Sequence, residues 1–218
     1  MGEESILTKE QQAILNEAAE NEPIFSKFYF SGGTALSEFY LKHRESIDLD
    51  FFSSQQFDPQ VPSQFLYKLS KRSGFMIKPS FVDPVYIFVL TFKNSKKLKV
   101  DFTYYPYKRL EKGEKFGNLQ IDSLFDIAVN KLLLLTQRNE VKDFVDLFFL
   151  LKKYSLWDLV EGVKRKFNVE IDPLILASDL LTVEEKNYLP KMLKPLKLSY
   201  LKDFYREKAR SLGKMVVE

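Results

Sequence analysis

The chain has 218 residues, 45% hydrophobic, 15% aromatic and 29% charged, with 8 Gly, 9 Pro, one His and no Cys. The lack of cysteine excludes a disulfide scaffold, a thiolate nucleophile and any Cys-ligated zinc or iron–sulfur centre, and the single histidine, His43, excludes a two-His metal motif. A net charge of +3 does not point to a nucleic-acid partner, so any chemistry here runs on carboxylates, lysines, hydroxyls and backbone amides.

No apolar run approaches the ~20 residues of a membrane span, and the acidic N-terminus MGEESILTKE has no signal-peptide core; the expectation is a cytoplasmic protein without a membrane partner. Thr8 and Gln11 form a capping-box pattern that opens a helix over 9–20. Phe28-Tyr29-Phe30 is a short strand ending at Ser31-Gly32-Gly33-Thr34, and a helix follows with Leu36, Phe39, Tyr40 and His43 at helical spacing. The run 47–52 alternates with period two and predicts a strand. A helix over 60–73 is closed by Gly74, and strands are expected near 75–82, 85–92 and 98–105. Beyond Asp122 the pattern is helical: 123–135, 141–153, 157–167, shorter pieces divided by Pro173, Pro190 and Pro195, and a last helix near 199–212. The organisation is α+β, with a mixed α/β part over 1–120 followed by a helical part over 121–218.

Three constellations carry chemistry. Gly32-Gly33 between a strand and a helix N-terminus suits either a phosphate cradle or a tight turn, and Thr34 adds a hydroxyl or an N-cap. Period two places Asp48 and Asp50 on one strand face while Ile47, Leu49 and Phe51 bury on the other; such a pair suits Mg²⁺ or a solvated polar edge. Asp101 shares a strand face with Lys99 and Thr103. Three aspartates on neighbouring strands beside a glycine turn form the set that two-metal phosphoryl or nucleotidyl transfer requires. The P-loop and dinucleotide fingerprints are absent.

These residues resemble a known family. Ser31-Gly32-Gly33-Thr34-Ala35-Leu36, followed by the stretch from His43-Arg44-Glu45-Ser46 through Asp48-Leu49-Asp50-Phe51-Phe52, is similar to the signature of the AbiEii/AbiGii toxin nucleotidyltransferases, within the DNA polymerase β-like superfamily. Downstream, Asp126-Ile127-Ala128, Lys131-Leu132, Arg138 and Lys142-Asp143-Phe144 with Asp146-Leu147 resemble the family's helical half. The likeness spans roughly 28–150. It implies a nucleotidyltransferase-like mixed sheet with flanking helices, then a helical part. Gly32, Gly33 and Thr34 would contact the triphosphate of an NTP. Asp48, Asp50 and Asp101 would be catalytic and would ligate two Mg²⁺ ions, with Asp101 also accepting the acceptor's proton. Lys131, Lys142 and Asp143 would lie at the nucleotide, while Arg44 and Ser46 would brace the loop before Asp48. The acceptor would be an RNA, such as tRNA, or a protein hydroxyl, and a cognate antitoxin is the implied partner.

Two other readings compete. Residues 93–115 carry eight basic residues interleaved with Phe92, Phe102, Tyr104, Tyr105 and Tyr107, the mixture that looped RNA uses. A catalytically decayed RNA- or partner-binding module would fit that stretch; the plainer reading is an edge strand guarded by lysines. A phosphotransferase moving a γ-phosphoryl group would use the same metals.

Overall fold

The Thr8–Gln11 pair forms the capping box its spacing predicts: Gln11 N donates to Thr8 Oγ1 at 3.2 Å and Thr8 N to Gln11 Oε1 at 3.0 Å, opening helix α1 (Lys9–Glu20). The computed structural model describes residues 5–217; Met1 to Glu4, which hold part of the acidic N-terminal stretch, and Glu218 lie outside the described residues. A one-turn helix α2 (Glu22–Phe25) leads to strand β1 (Tyr29–Ser31) and then to α3 (Gly32–Ala35). This helix continues as a π-helical stretch over Leu36–Leu41. Strand β2 (Leu49–Ser53), helix α4 (Gln60–Ser73) and strands β3 (Met76–Val82), β4 (Val85–Thr91) and β5 (Lys97–Tyr104) follow. Gly74 ends α4 at φ +72°, the left-handed conformation that only glycine adopts at low cost. Strands β6 (Lys115–Phe116) and β7 (Leu119–Ile121) are too short to give a periodic signal in the sequence.

The seven strands of the described residues form one mixed sheet in the order β3-β4-β5-β2-β1-β7-β6. β2 pairs with β5 and β1 with β7 in parallel; every other pair is antiparallel. The lysine-rich strand β5 is therefore interior, between β4 and β2, which corrects the edge-strand reading of its lysines. One face of the sheet is apolar and closed. Leu49, Phe51, Val100, Phe102, Phe88 and Phe30 are buried on it, and the Phe51 and Phe102 rings stack at 4.9 Å and 12°. Burying rings of this size is the main stabilising contribution in this unit, at ~1.5–3 kcal/mol per side chain. Ile47 departs from expectation: it is 67% exposed, because β2 starts only at Leu49 and the alternation does not reach back that far.

The remaining elements are helical: α5 (Leu124–Gln137), α6 (Val141–Leu150), α7 (Leu156–Phe167), α8 (Pro173–Leu181), a 3₁₀ turn (Thr182–Glu185) and α9 (Leu198–Val217). Their core includes Leu132, Phe144, Leu159 and Tyr205, whose hydroxyl donates to the Phe144 carbonyl at 2.7 Å. Two compact units result. The sheet unit comprises the stretch through Tyr40, Ser46–Lys108 and Lys112–Ser123; the helical unit comprises Leu41–Glu45, Arg109–Glu111 and the stretch from Leu124. No helix among the described residues is long and apolar enough to cross a membrane.

Candidate active site

In the sheet unit the glycine turn and the first carboxylates are built against each other. Gly32 has φ +75°, and a Cβ there would collide with the Asp50 carboxylate, its Cγ only 2.7 Å away. The residue must be glycine both for its backbone angle and for the space Asp50 fills. Gly33 follows in the first turn of α3. Thr34 is neither N-cap nor free donor: its hydroxyl donates to the Asp48 carbonyl. Gln11 Nε2 donates to the Ser46 carbonyl at 2.8 Å. These two bonds hold the segment leading into Asp48, a positioning role for Gln11 that its capping-box pattern alone did not reveal.

Residues paired across neighbouring strands share a face, and the β1–β2 and β2–β5 registers align Ser31 with Asp50 and Asp50 with Asp101. Asp50 and Asp101 thus stand side by side on the face opposite the phenylalanine core, with Asp48 two residues before Asp50. Lys99 joins them, its Nζ 2.7 Å from Asp101 Oδ2. Burial raises the Asp101 pKa; the bond to Lys99 opposes this and the Asp48 charge adds to it. Burial alone would lower the Lys99 pKa, but the bond to Asp101 and the charges of Asp101, Asp48 and Asp50 hold it above its ordinary value. The structure therefore brings Gly32, Gly33, Thr34, Asp48, Asp50 and Asp101 into one neighbourhood of the sheet unit.

The donor set fits Mg²⁺ in kind. All three side chains offer hard carboxylate oxygens, and Asp101 Oδ1 is buried without a hydrogen-bond partner among the described residues. As they stand, no three carboxylate or imidazole groups among the described residues converge into a ready cage. Among the described residues, the cation in contact with Asp101 is the Lys99 ammonium.

In the helical unit Lys131 and Asp143 belong to a buried ionic network. Lys131 Nζ lies 2.8 Å from Asp143 Oδ1 and 2.7 Å from Asp146 Oδ2, and Arg138 Nε lies 2.7 Å from Asp143 Oδ2. The Lys131 ammonium does not reach out to solvent along its stem; the residue is 4% exposed. Arg44 grips Asp146 in a two-point bond, Nε to Oδ1 at 2.6 Å and Nη2 to Oδ2 at 2.8 Å, and His43 Nε2 sits 2.8 Å from the same Oδ1. Burial would raise the Asp146 pKa, but Lys131, Arg44 and His43 hold it well below the usual carboxylate range. Burial lowers the His43 pKa against the pull of Asp146.

His43 is not on the preceding helix as its spacing suggested. The helix ends at Leu41, and Lys42, at φ +45°, turns the chain so that His43 and Arg44 enter the helical unit. Arg44 is thereby tied to Asp146 within the helical unit. Lys142, beside Asp143 on α6, is half-buried and makes no ion pair among the described residues. Asp126 is buried against Lys166 at 2.7 Å and accepts from Leu110 N and Glu111 N, so it anchors the 109–111 segment in the helical unit. The charged clusters around Asp146 and Lys166 have no signature in the sequence, since a lone charge in a helical run carries no sign of its partner.

Comparison with known proteins extends this picture. The profile of the family described as "Nucleotidyl transferase AbiEii toxin, Type IV TA system" matches residues 13–192. The uncharacterized protein aq_aa25 of Aquifex aeolicus (strain VF5) is 37% identical over 187 residues, covering 82% of this chain and 84% of that protein. Among solved structures, JHP933 from Helicobacter pylori superposes with a TM-score of 0.57 at 20% identity, covering 96% of this chain and 94% of that one. A putative nucleotidyltransferase from H. pylori gives 0.56 at 20% identity, with coverages of 96% and 97%. At these identities the two structures show a shared fold.

Proposed function

The chain belongs to the AbiEii nucleotidyl transferase toxin family, and on that premise we propose that it moves an NMP group from an NTP to a hydroxyl of an RNA or protein acceptor. The observation that carries the reading is the Asp50–Asp101 register, which sets carboxylates from two strands beside the Gly32 turn on the sheet face opposite the phenylalanine core. Asp48, Asp50 and Asp101 would hold Mg²⁺, two ions in the full arrangement. Bound there, Mg²⁺ supplies charge neutralisation for the phosphates and the developing pyrophosphate.

The chain's own residues do the rest. Gly32 and Gly33 let the triphosphate approach the backbone at the start of α3. Thr34 and Gln11, through the Asp48 and Ser46 carbonyls, keep Asp48 in place. Asp101 accepts the proton of the acceptor hydroxyl. That oxygen forms a bond to the α-phosphorus as the bond to the bridging oxygen breaks, and pyrophosphate leaves in line. A cognate antitoxin, a toxin–antitoxin or phage-defence role and a cytoplasmic location belong to the same proposal.

The test is incubation of the protein with each labelled NTP, Mg²⁺ and total cell RNA or lysate. The expected result is label from one NTP on one macromolecular fraction, with release of pyrophosphate. Release of a nucleoside diphosphate would indicate phosphoryl transfer instead. Absence of label with all four NTPs in both fractions would favour the decayed binding module.

A further inference from the structure

Lys99 stands two residues before Asp101 on β5, so its side chain leaves the same face of the sheet. Its ammonium is 2.7 Å from Asp101 Oδ2. The Lys99 side chain is 40% exposed while that of Asp101 is 10% exposed, so the lysine reaches in from solvent to a carboxylate that cannot reach out. The other oxygen of that carboxylate is buried and has no hydrogen-bond partner among the described residues. Asp48 and Asp50 act on the same ammonium through their charges.

We propose that Lys99 is the resident cation of the carboxylate cluster, and that a divalent ion loads at Asp101 by displacing the Lys99 ammonium. The inference rests on the metal-dependent reading above. Carboxylates packed on neighbouring strands repel one another, and a cation within reach relieves that cost. A lysine does so without a binding event, since it is already tethered two residues away. Its flexible four-carbon stem and partial exposure let the head swing back into water when a doubly charged competitor arrives. Lys99 thereby stabilises the metal-free sheet and weakens binding of bare metal. Arginine would serve this purpose less well, because its rigid fork grips a carboxylate at two points.

The experiment measures Mn²⁺ binding to nucleotide-free protein, from the electron paramagnetic resonance signal of the free ion, for the wild type, Lys99→Met and Lys97→Met. Lys97 is exposed at the first residue of β5, two before Lys99, and its substitution removes the same formal charge, so it controls for net charge. Lys99→Met should bind Mn²⁺ on the order of tenfold more tightly than wild type, whereas Lys97→Met should change affinity by less than about twofold. In EDTA, Lys99→Met should melt below the wild type and recover the difference when Mn²⁺ is added. Should Lys99→Met fail to fold, Lys99→Gln is read by the same criteria. Equal or weaker Mn²⁺ binding by the Lys99 variant, or a gain matched by Lys97→Met, overturns the displacement role and leaves the metal reading standing. If neither wild type nor variant binds millimolar Mn²⁺, both fall.

Discussion

Gly32→Ala tests how closely the glycine turn and the carboxylates depend on each other. The added Cβ meets two problems at once: a backbone angle of φ +75° and an Asp50 Cγ 2.7 Å away. A positive φ costs a residue with a side chain ~1–2 kcal/mol, and pushing Asp50 off its rotamer adds ~0.5–1.5 kcal/mol. The total is about 1.5–3.5 kcal/mol. At about 2–4 °C per kcal/mol for a chain of this size, the melting temperature should fall by on the order of 3–14 °C. The two causes separate in a double-mutant cycle, because Asp50→Ala removes the colliding carboxylate and leaves the backbone strain. Gly32→Ala should therefore cost less in the Asp50→Ala background, with a coupling of about 0.5–1.5 kcal/mol from urea unfolding of the four proteins. Nucleotide affinity should fall in Gly32→Ala as well, since the turn and Asp50 are displaced together. The reasoning is refuted if Gly32→Ala melts with the wild type, or if its cost is the same in both backgrounds.

Three further expectations concern single groups. Asp101→Asn should lower NTP affinity only modestly while single-turnover transfer drops at least ~10²–10⁴-fold, the usual worth of a general base; a parallel fall in both would make Asp101 an ordinary nucleotide contact. Thr34→Val keeps the shape but loses the bond to the Asp48 carbonyl, so it should cost about 1 kcal/mol and slow transfer; unchanged melting and turnover would remove Thr34 from the positioning of Asp48. Asp146→Ala leaves Lys131 and Arg44 buried without their shared counter-ion and should destabilise by about 3–5 kcal/mol in denaturant titrations, which a loss under about 1 kcal/mol would contradict. The same network predicts acid sensitivity that begins above the carboxylate range. Burial keeps the His43 pKa below its ordinary 6.5, so the unfolded chain takes up more protons as pH falls past that value and stability declines. Asp146, with its pKa held low, contributes fully above the ordinary carboxylate pKa and loses that contribution only as pH falls towards its folded value. Melting temperature should thus drop between pH 7.5 and 5.5 in the wild type and flatten in His43→Asn; a flat wild-type profile would count against the buried neutral imidazole.

Much of the local structure was legible because it depends on near neighbours. The capping box at Thr8 and Gln11, the left-handed stop at Gly74 and the alternation of β5 are relations within one or two turns of chain. Each was readable from residue types and spacing alone. Where local signals failed, a distant partner was the reason. Ile47 looked like the start of an alternating strand, but the pairing of β2 with β5 begins only at Leu49 and Val100, although β5 itself starts at Lys97. Lysines along β5 looked like edge protection, yet that strand is paired on both sides. His43 fitted a helical face until the backbone turned at Lys42 to deliver it to Asp146.

For the candidate site, the sequence by itself determined which side chains could do chemistry. Cysteine is absent and histidine single, and the period of a strand places Asp50 on one face and Leu49 and Phe51 on the other. Only the tertiary structure decided which carboxylates meet. The Asp50–Asp101 alignment is a choice of register between strands about 50 residues apart, and the packing of Gly32 against Asp50 follows from β1 pairing with β2. Periodicity reports that a face is buried, not which strand lies beside it. Register is set by how the phenylalanines of the apolar face interlock, and that packing carries the carboxylates of the opposite face into place.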